Sequence, residues 1–391
     1  MNGVWRLSAL RLRRHPVQTM VLVLCIAVTI FLPWGVRSLI ADYQAGLVAR
    51  AESTPMVMGA RSNRFDLTFA TLYFRQANLE TIPYPEARRL QQQGEGLAVP
   101  LHARFTAQGF PIVGTSQEYF EMRQFQLQAG TLPLLMGDVL LGSTVAEELN
   151  LQPGDSLFSD QRELYDIAIP PALKMRVVGV LERKRTPDDG AVFVGVETCW
   201  ILEGLAHGHV DPQSEEMDPA LILGGDDKNT VISQAMLEFN EVTPDNMDSF
   251  HYHGDLEQLP LSAILFWPND EKSATLSKAR VNQLKKYRML QPTSVMDDLM
   301  AFVLRVRNLV DGIGALLAGI TASLTVLVFL LSSQLRKREM RTMERLGCSR
   351  FFVLGLYLSE FAVVFGLAIL LAAAGVFSAR WLLSDLLPSL V

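Results

Sequence analysis

The sequence predicts an α+β protein with three transmembrane helices and a large extracytoplasmic domain held on helical stalks. Three observations predict it. Pro16–Val36, Gly312–Leu335 and Phe361–Ala379 contain no charged residue, and each approaches the roughly 20 apolar residues that a helix needs to cross the hydrocarbon core. Between the first two runs, short β-rich stretches alternate with Gly and Pro punctuation, the pattern of a folded aqueous domain. Arginines and lysines crowd the chain before the first run and between the last two, and short basic segments of this kind stay on the cytoplasmic face.

Residues 1–15 form an amphipathic cytoplasmic N-terminus. There Trp5, Leu7, Leu10 and Leu12 mix with Arg6, Arg11, Arg13 and Arg14, a composition suited to the inner headgroup surface. Residues 16–41 are transmembrane helix 1. Its apolar core exceeds the roughly 7–15 residues of a signal peptide and no clear A-x-A-like site follows, so it is read as a retained span. Helical spacing of Leu39, Ile40, Tyr43, Leu47 and Val48 carries this helix onward as a stalk. Residues 42–305 make the extracytoplasmic domain. Strands are expected at Pro111–Gly114, Asp138–Gly142, Lys174–Leu181 and Ala191–Gly195, a helix at Ser143–Leu149, a subdivision near Pro187–Gly190 and a strand-helix segment at Leu261–Tyr287. The return stalk, Ser294–Arg307, has its apolar stripe at Val295, Met296, Leu299, Phe302, Val303 and Val306. Residues 306–335 are transmembrane helix 2, with Asp311 at its outer edge. Residues 336–350 form a cytoplasmic connection, 351–380 transmembrane helix 3, and 381–391 an extracytoplasmic C-terminal tail.

The chain has 391 residues, of which 49% are hydrophobic, and a formal net charge of −6; its mean hydropathy is +0.20. That is polar for a carrier built mostly of spans, so most of the chain is aqueous, and residues 42–305 can bury a core of their own. The acidic balance leaves no basic patch for nucleic acid, because many cations sit at the membrane ends. The three cysteines, Cys25, Cys199 and Cys348, fall in separate segments. No intramolecular disulfide is therefore expected, and Cys199 beside Trp200 is read as a buried small hydrophobe. No G-x-x-x-x-G-K-[ST] run occurs, so nucleotide is not bound by that route. No Ser/His/Asp set, Cys/His pair or carboxylate dyad stands out in the domain, and the chain is read as non-catalytic.

Three features carry further chemistry. The connection gathers Arg336, Lys337, Arg338, Arg341, Arg345 and Arg350; setting membrane orientation is its simplest role. Glu360 lies in the last apolar region, where a carboxylate at the bilayer centre costs about 2.5–3.5 kcal/mol. It is read as packed or interfacial rather than as a proton relay, since no second acid or histidine accompanies it. Four of the six histidines form two H-x-H pairs, His207/His209 and His251/His253, with Asp255 near the second. Residues two apart on a strand share a face, and neutral imidazoles suit Zn2+ or Cu2+. Surface histidines on polar loops are the alternative. His15 and His102 have no such company.

Asp138-Val-Leu-Leu-Gly-Ser-Thr-Val-Ala-Glu-Glu-Leu-Asn-Leu-Gln-Pro-Gly-Asp-Ser-Leu157, followed by Met175–Leu181 and Gly190–Val194, resembles the periplasmic core domain of MacB/FtsX-type ABC transporter permeases. The connection extends the likeness. Arg336, Arg338, Glu339, Leu346, Gly347, Ser349, Arg350 and Glu360 follow the family's order of Arg-x-Arg/Lys-Glu, Leu-Gly-x-Ser-Arg, an apolar stretch and Glu. Such permeases usually have four spans. The lack of the usual fourth helix implies a three-span subgroup, a truncated reading frame or a split partner.

The basic segments and the alternation of three spans put the N-terminus in the cytoplasm and the C-terminus outside, and the resemblance implies a protein of the bacterial inner membrane with a MacB-like periplasmic core domain. It implies a permease subunit without a cofactor of its own, ATP being bound by a separate ABC ATPase subunit. In that reading Arg338, Glu339, Met340, Arg341, Met343, Glu344, Arg345, Leu346 and Gly347 form a coupling helix that seats in a groove of the ATPase. The charged members supply charge-assisted contacts and the methionines and leucine an apolar anchor. The permease pairs with itself or a related permease, and a periplasmic adaptor or lipoprotein joins it outside. ATPase-driven motion then reaches the extracytoplasmic domain for export or extraction of cell-envelope cargo. The alternatives are a non-transporting regulator of an envelope enzyme and a metal-sensing membrane receptor with zinc at the histidine pairs.

Overall fold

Each of the three apolar runs lies within one long helix. The computed structural model describes residues 2–14, 16–77, 79–133, 135–160, 172–209, 222–226, 229–232, 239–252, 255–335, 342, 345 and 350–383. In chain order the elements begin with α1 (Asn2–Arg14), α2 (Pro16–Glu52), β1 (Met56–Ala60), α3 (Arg64–Leu72), β2 (Ile82–Pro83), α4 (Pro85–Gln92), β3 (Gly96–Ala107) and β4 (Phe110–Thr115). Next come α5 (Gln117–Met122), β5 (Leu127–Gly130), β6 (Asp138–Leu141), α6 (Ser143–Leu149), β7 (Ser156–Phe158), β8 (Lys174–Leu181), β9 (Val192–Gly195), α7 (Val196–Leu202) and β10 (Ala206–Gly208). The last are β11 (Ile222–Asp226), β12 (Asn229–Ile232), β13 (Phe250–Tyr252), β14 (Pro260–Leu261), β15 (Ala263–Pro268), α8 (Glu271–Gln283), β16 (Tyr287–Leu290), α9 (Pro292–Leu335) and α10 (Arg350–Leu383).

The chain divides into two units, one of Met1–Ala45 with Asp298–Leu387 and the other built on Gly46–Asp297. In the first, α2, α9 and α10 each hold a stretch long and apolar enough to cross a membrane. Thr29 and Thr321 pair by their hydroxyls at 2.9 Å, and Arg37 Nε donates to Asp311 at 2.7 Å. These contacts set α2 beside α9 and neutralise two charges next to apolar runs. Ile26 and Ala27 pack with Val364 and Ala368, while Ser8 of α1 hydrogen-bonds Ser359 of α10. Much of the remaining apolar surface is bare, with Leu316, Leu327, Leu370 and Phe377 exposed by 66, 62, 67 and 74%.

In the second unit ten strands form one sheet in the order β16-β1-β15-β3-β4-β9-β6-β8-β5, with β7 paired to β8. The β4–β9 and β6–β8 pairs are parallel. β1, the first strand after α2, lies between β15 and β16, the last two before α9. Entry and exit of the chain are therefore joined by ladder hydrogen bonds. Alternation places the β8 side chains: Met175 and Val177 are buried in one apolar cluster with Val139, Leu141, Val192 and Val194, whereas Arg176 between them is exposed. Asp270 caps α8 by accepting from the Ser273 N–H.

One expectation needs correction. No subdivision occurs near Pro187–Gly190: a 3-10 turn there joins β8 to β9, strands of the same sheet. Its Pro-Asp-Asp-Gly composition reads as an exposed linker, but Asp188 and Asp189 are buried because a cation inside the domain draws the first of them inward. The stripe of the return stalk is most buried at its start. Val295 and Met296 are buried, Leu299 and Val303 half-buried, and Phe302 and Val306 exposed.

Candidate functional site

Arg50 sits in the last turn of α2, one helical turn beyond Leu47. Leu47, Arg50 and Ala51 are all buried, so the arginine falls on the apolar face of the helix. Its guanidinium makes a bidentate pair with Asp188, Nη1 to Oδ2 at 2.5 Å and Nη2 to Oδ1 at 2.9 Å. The fork matches the planar carboxylate, the strongest geometry for this pairing. Nε donates to the Leu72 carbonyl at 2.9 Å, and Nη2 also donates to the Tyr119 hydroxyl at 3.1 Å. That hydroxyl donates in turn to Asp188 Oδ1 at 2.6 Å, and the Thr186 hydroxyl to Oδ2 at 3.0 Å. Each charge in this buried set thus has several partners, as burial requires.

Arg123 adds a second cation. It lies 5.4 Å from the Tyr119 ring centroid and 5.7 Å from that of Trp267, and it donates to the hydroxyls of Ser53 and Thr54 just after α2. Burial pushes Asp188 upward, but Arg50 and Arg123 outweigh it and hold its carboxyl below the ordinary range. Burial pulls Arg50 down, and Asp188 more than restores it. Burial followed by the Asp188 charge pushes the Tyr119 phenol up to about 12, so it remains a donor. Arg50 and Asp188 are therefore both ionised at neutral pH.

Local sequence explains how Asp188 arrives there. Gly142 separates β6 from α6, and a Cβ at this position would lie 2.3 Å from the Asp189 carbonyl oxygen and 2.4 Å from that of Asp188. Only glycine lets the 187–190 turn close against the start of the helix. α6 then ends at Asn150, whose φ of 53° is the left-handed conformation that asparagine tolerates. The sequence family described as the MacB-like periplasmic core domain matches residues 19–217, which include Arg50, Gly142 and Asp188. The chain belongs to this family.

The chain, with its MacB-like core domain, is also similar to solved structures. It is similar to the periplasmic region of MacB from Actinobacillus actinomycetemcomitans at 12% identity, over 63% of this chain and 92% of that one, with a TM-score of 0.37. It is similar to the extracellular domain of the noncanonic ABC-type transporter YknZ from Gram-positive bacteria at 10% identity, over 61% and 99%, with a TM-score of 0.34. No curated protein matches. The MacB-like assignment agrees with the resemblance drawn from Asp138–Leu157 to the MacB/FtsX-type ABC transporter permease family.

Among the residues singled out in this MacB-like chain, Arg338, Glu339, Met340, Arg341, Met343, Glu344, Leu346 and Gly347 lie outside the described residues. Arg345 is helical and exposed. Glu360 is buried in α10, next to Ser359. His253 lies outside the described residues, but His207, His209 and His251 come together. His207 stands opposite His251 in the β10–β13 pair. His102 has closer company than its sequence neighbours indicate: its buried Nε2 is 3.4 Å from Glu203, which also takes Arg104 at 3.2 Å. Cys199 is fully buried, and burial pushes its thiol well up, in keeping with a packing role.

The Arg50–Asp188–Tyr119–Arg123 set had no sequence signal as a group. One part was visible: Arg50 continues the Leu39, Tyr43, Leu47 stripe at helical spacing, and a cation on an apolar stripe requires a buried anion. Nothing local identifies that anion as Asp188, 138 positions away.

Proposed function

We propose that this chain is the permease subunit of an ABC system of the MacB/FtsX type and works by passing motion across the membrane. A separate ATPase would drive the segment at 336–350 on the cytoplasmic side. The helices α2 and α9 would carry that displacement to the extracytoplasmic domain, in the manner of rigid-body helix shifts. The bare apolar faces at Leu316, Leu327, Leu370 and Phe377 support embedding in lipid, since exposed apolar surface on this scale needs an apolar neighbour.

The observation that carries the reading is Arg50. One unbroken helix contains both the first apolar run and this arginine, and the arginine is locked by two bonds to Asp188 inside the domain. A loosely tethered domain would need no such anchor. Force applied to α2 therefore acts on the folded core rather than on a linker. The reading includes a dimer of permeases, no catalysis by this chain, and cargo at or beyond the outer face.

Gly347→Pro tests the cytoplasmic end. Co-purified with its ATPase in lipid nanodiscs, the variant is expected to remain in the complex while losing the permease-dependent stimulation of ATP turnover. Full stimulation in the variant would remove the coupling role from this segment.

A further inference from the structure

His207 and His251 lie directly opposite one another in the antiparallel β10–β13 pair, and His209 follows two residues after His207, one position past the end of β10. The three rings approach with centroids 4.9 Å apart for His207 and His251, 4.9 Å for His209 and His251, and 5.8 Å for His207 and His209. One nitrogen of each lies within 4.8 Å of the other two, and all three residues are half-buried. We propose that these imidazoles form a binding site for a late first-row divalent cation, with Zn2+ as the principal ligand.

The donor set favours such an ion. Neutral imidazole nitrogens select zinc, copper and nickel over calcium and magnesium, which require oxygen. Three histidines and an open fourth position for water form a recurrent zinc arrangement. A tetrahedral ion with nitrogens at about 2.0–2.1 Å needs them about 3.4 Å from one another, a contraction that small side-chain rotations supply from the present spread. His251 is oriented for the task. Its Nδ1 lies 3.0 Å from the Ser249 carbonyl, which can only accept, so Nδ1 carries the proton and Nε2 offers its lone pair. A carbonyl behind a ligating histidine is the usual means of fixing tautomer and ring orientation.

The fold gives the cation a structural task. β10 and β13 form a two-stranded sheet of their own, a unit of marginal independent stability. Its Tyr252 ring rests edge-on against Trp200 at 6.0 Å, joining the ribbon to the core. A cation held by His207 of β10, His209 just beyond it and His251 of β13 cross-links the pair and fixes its register. This site stands independently of the permease reading, and its test requires no ATPase.

The full chain, carrying a Strep tag rather than polyhistidine, is stripped with chelator in detergent and titrated with Zn2+ by calorimetry. Co2+ is then added as a spectroscopic probe. One equivalent of zinc, tetrahedral d–d bands with cobalt and a zinc-dependent rise in melting temperature are expected. His207→Ala, His209→Ala and His251→Ala should each weaken binding by at least the 10–100-fold typical of losing an outer partner. His251→Gln separates ligand loss from misfolding: its metal-free melting temperature should match the parent, while the zinc-dependent rise disappears. Absence of zinc uptake by the parent chain, or an unchanged affinity and cobalt spectrum in the triple alanine variant, overturns the proposal.

Discussion

Arg50 and Asp188 form a charge pair almost wholly removed from water, with side chains 5 and 1% exposed. Removing one partner of such a pair leaves the other charged and uncompensated, which costs about 3–5 kcal/mol. Asp188→Ala is therefore expected to destabilise the domain by about that amount in chemical unfolding of the full chain. The double variant Arg50→Met/Asp188→Leu should recover much of the loss, since apolar replacement of a whole buried pair is often neutral. Additive losses in the double variant would show that the two residues act separately. The pair also sets an acid limb. Because Asp188 is held below its ordinary range, its contribution is complete above the unfolded carboxylate pKa of about 3.9 and is lost as pH falls through the lower folded value. Unfolding midpoints measured from about pH 6 downward should fall more steeply for the parent chain than for Asp188→Asn. Equal slopes would contradict the assigned shift.

At the scale of elements, the close approach at Gly142 predicts that Gly142→Ala forces the 187–190 turn away from α6. Overpacking of this kind costs about 1–3 kcal/mol, and the melting temperature should fall with no change in helix content. Unchanged stability would mean that the turn moves freely. The elements themselves were largely legible. α6 falls at Ser143–Leu149 and β8 at Lys174–Leu181, where local alternation and Gly punctuation decide the outcome. Their order in the sheet was not legible, because β1 pairs with β15 and β16 through contacts more than 200 positions apart. The Pro187–Gly190 turn misled for a related reason: its burial is set by Arg50 rather than by its own composition. Of the histidines, the spacing within each pair was visible. The register that brings His207 opposite His251 came only with the fold.

For the whole molecule, the proposed topology places a basic segment inside the cell and a folded head outside it, linked by helices through lipid. The MacB-like periplasmic core domain matches residues 19–217, and three helices are long and apolar enough to cross a membrane. The most direct measurement is sidedness of labelling in a chain lacking Cys25 and Cys348. Arg345→Cys and Lys272→Cys, both at exposed positions, are each treated in intact cells with a membrane-impermeant maleimide. The proposed topology predicts that Lys272→Cys is labelled once the reagent passes the outer envelope, and that Arg345→Cys is labelled only after the inner membrane is opened. Labelling of both positions from the same side would contradict it.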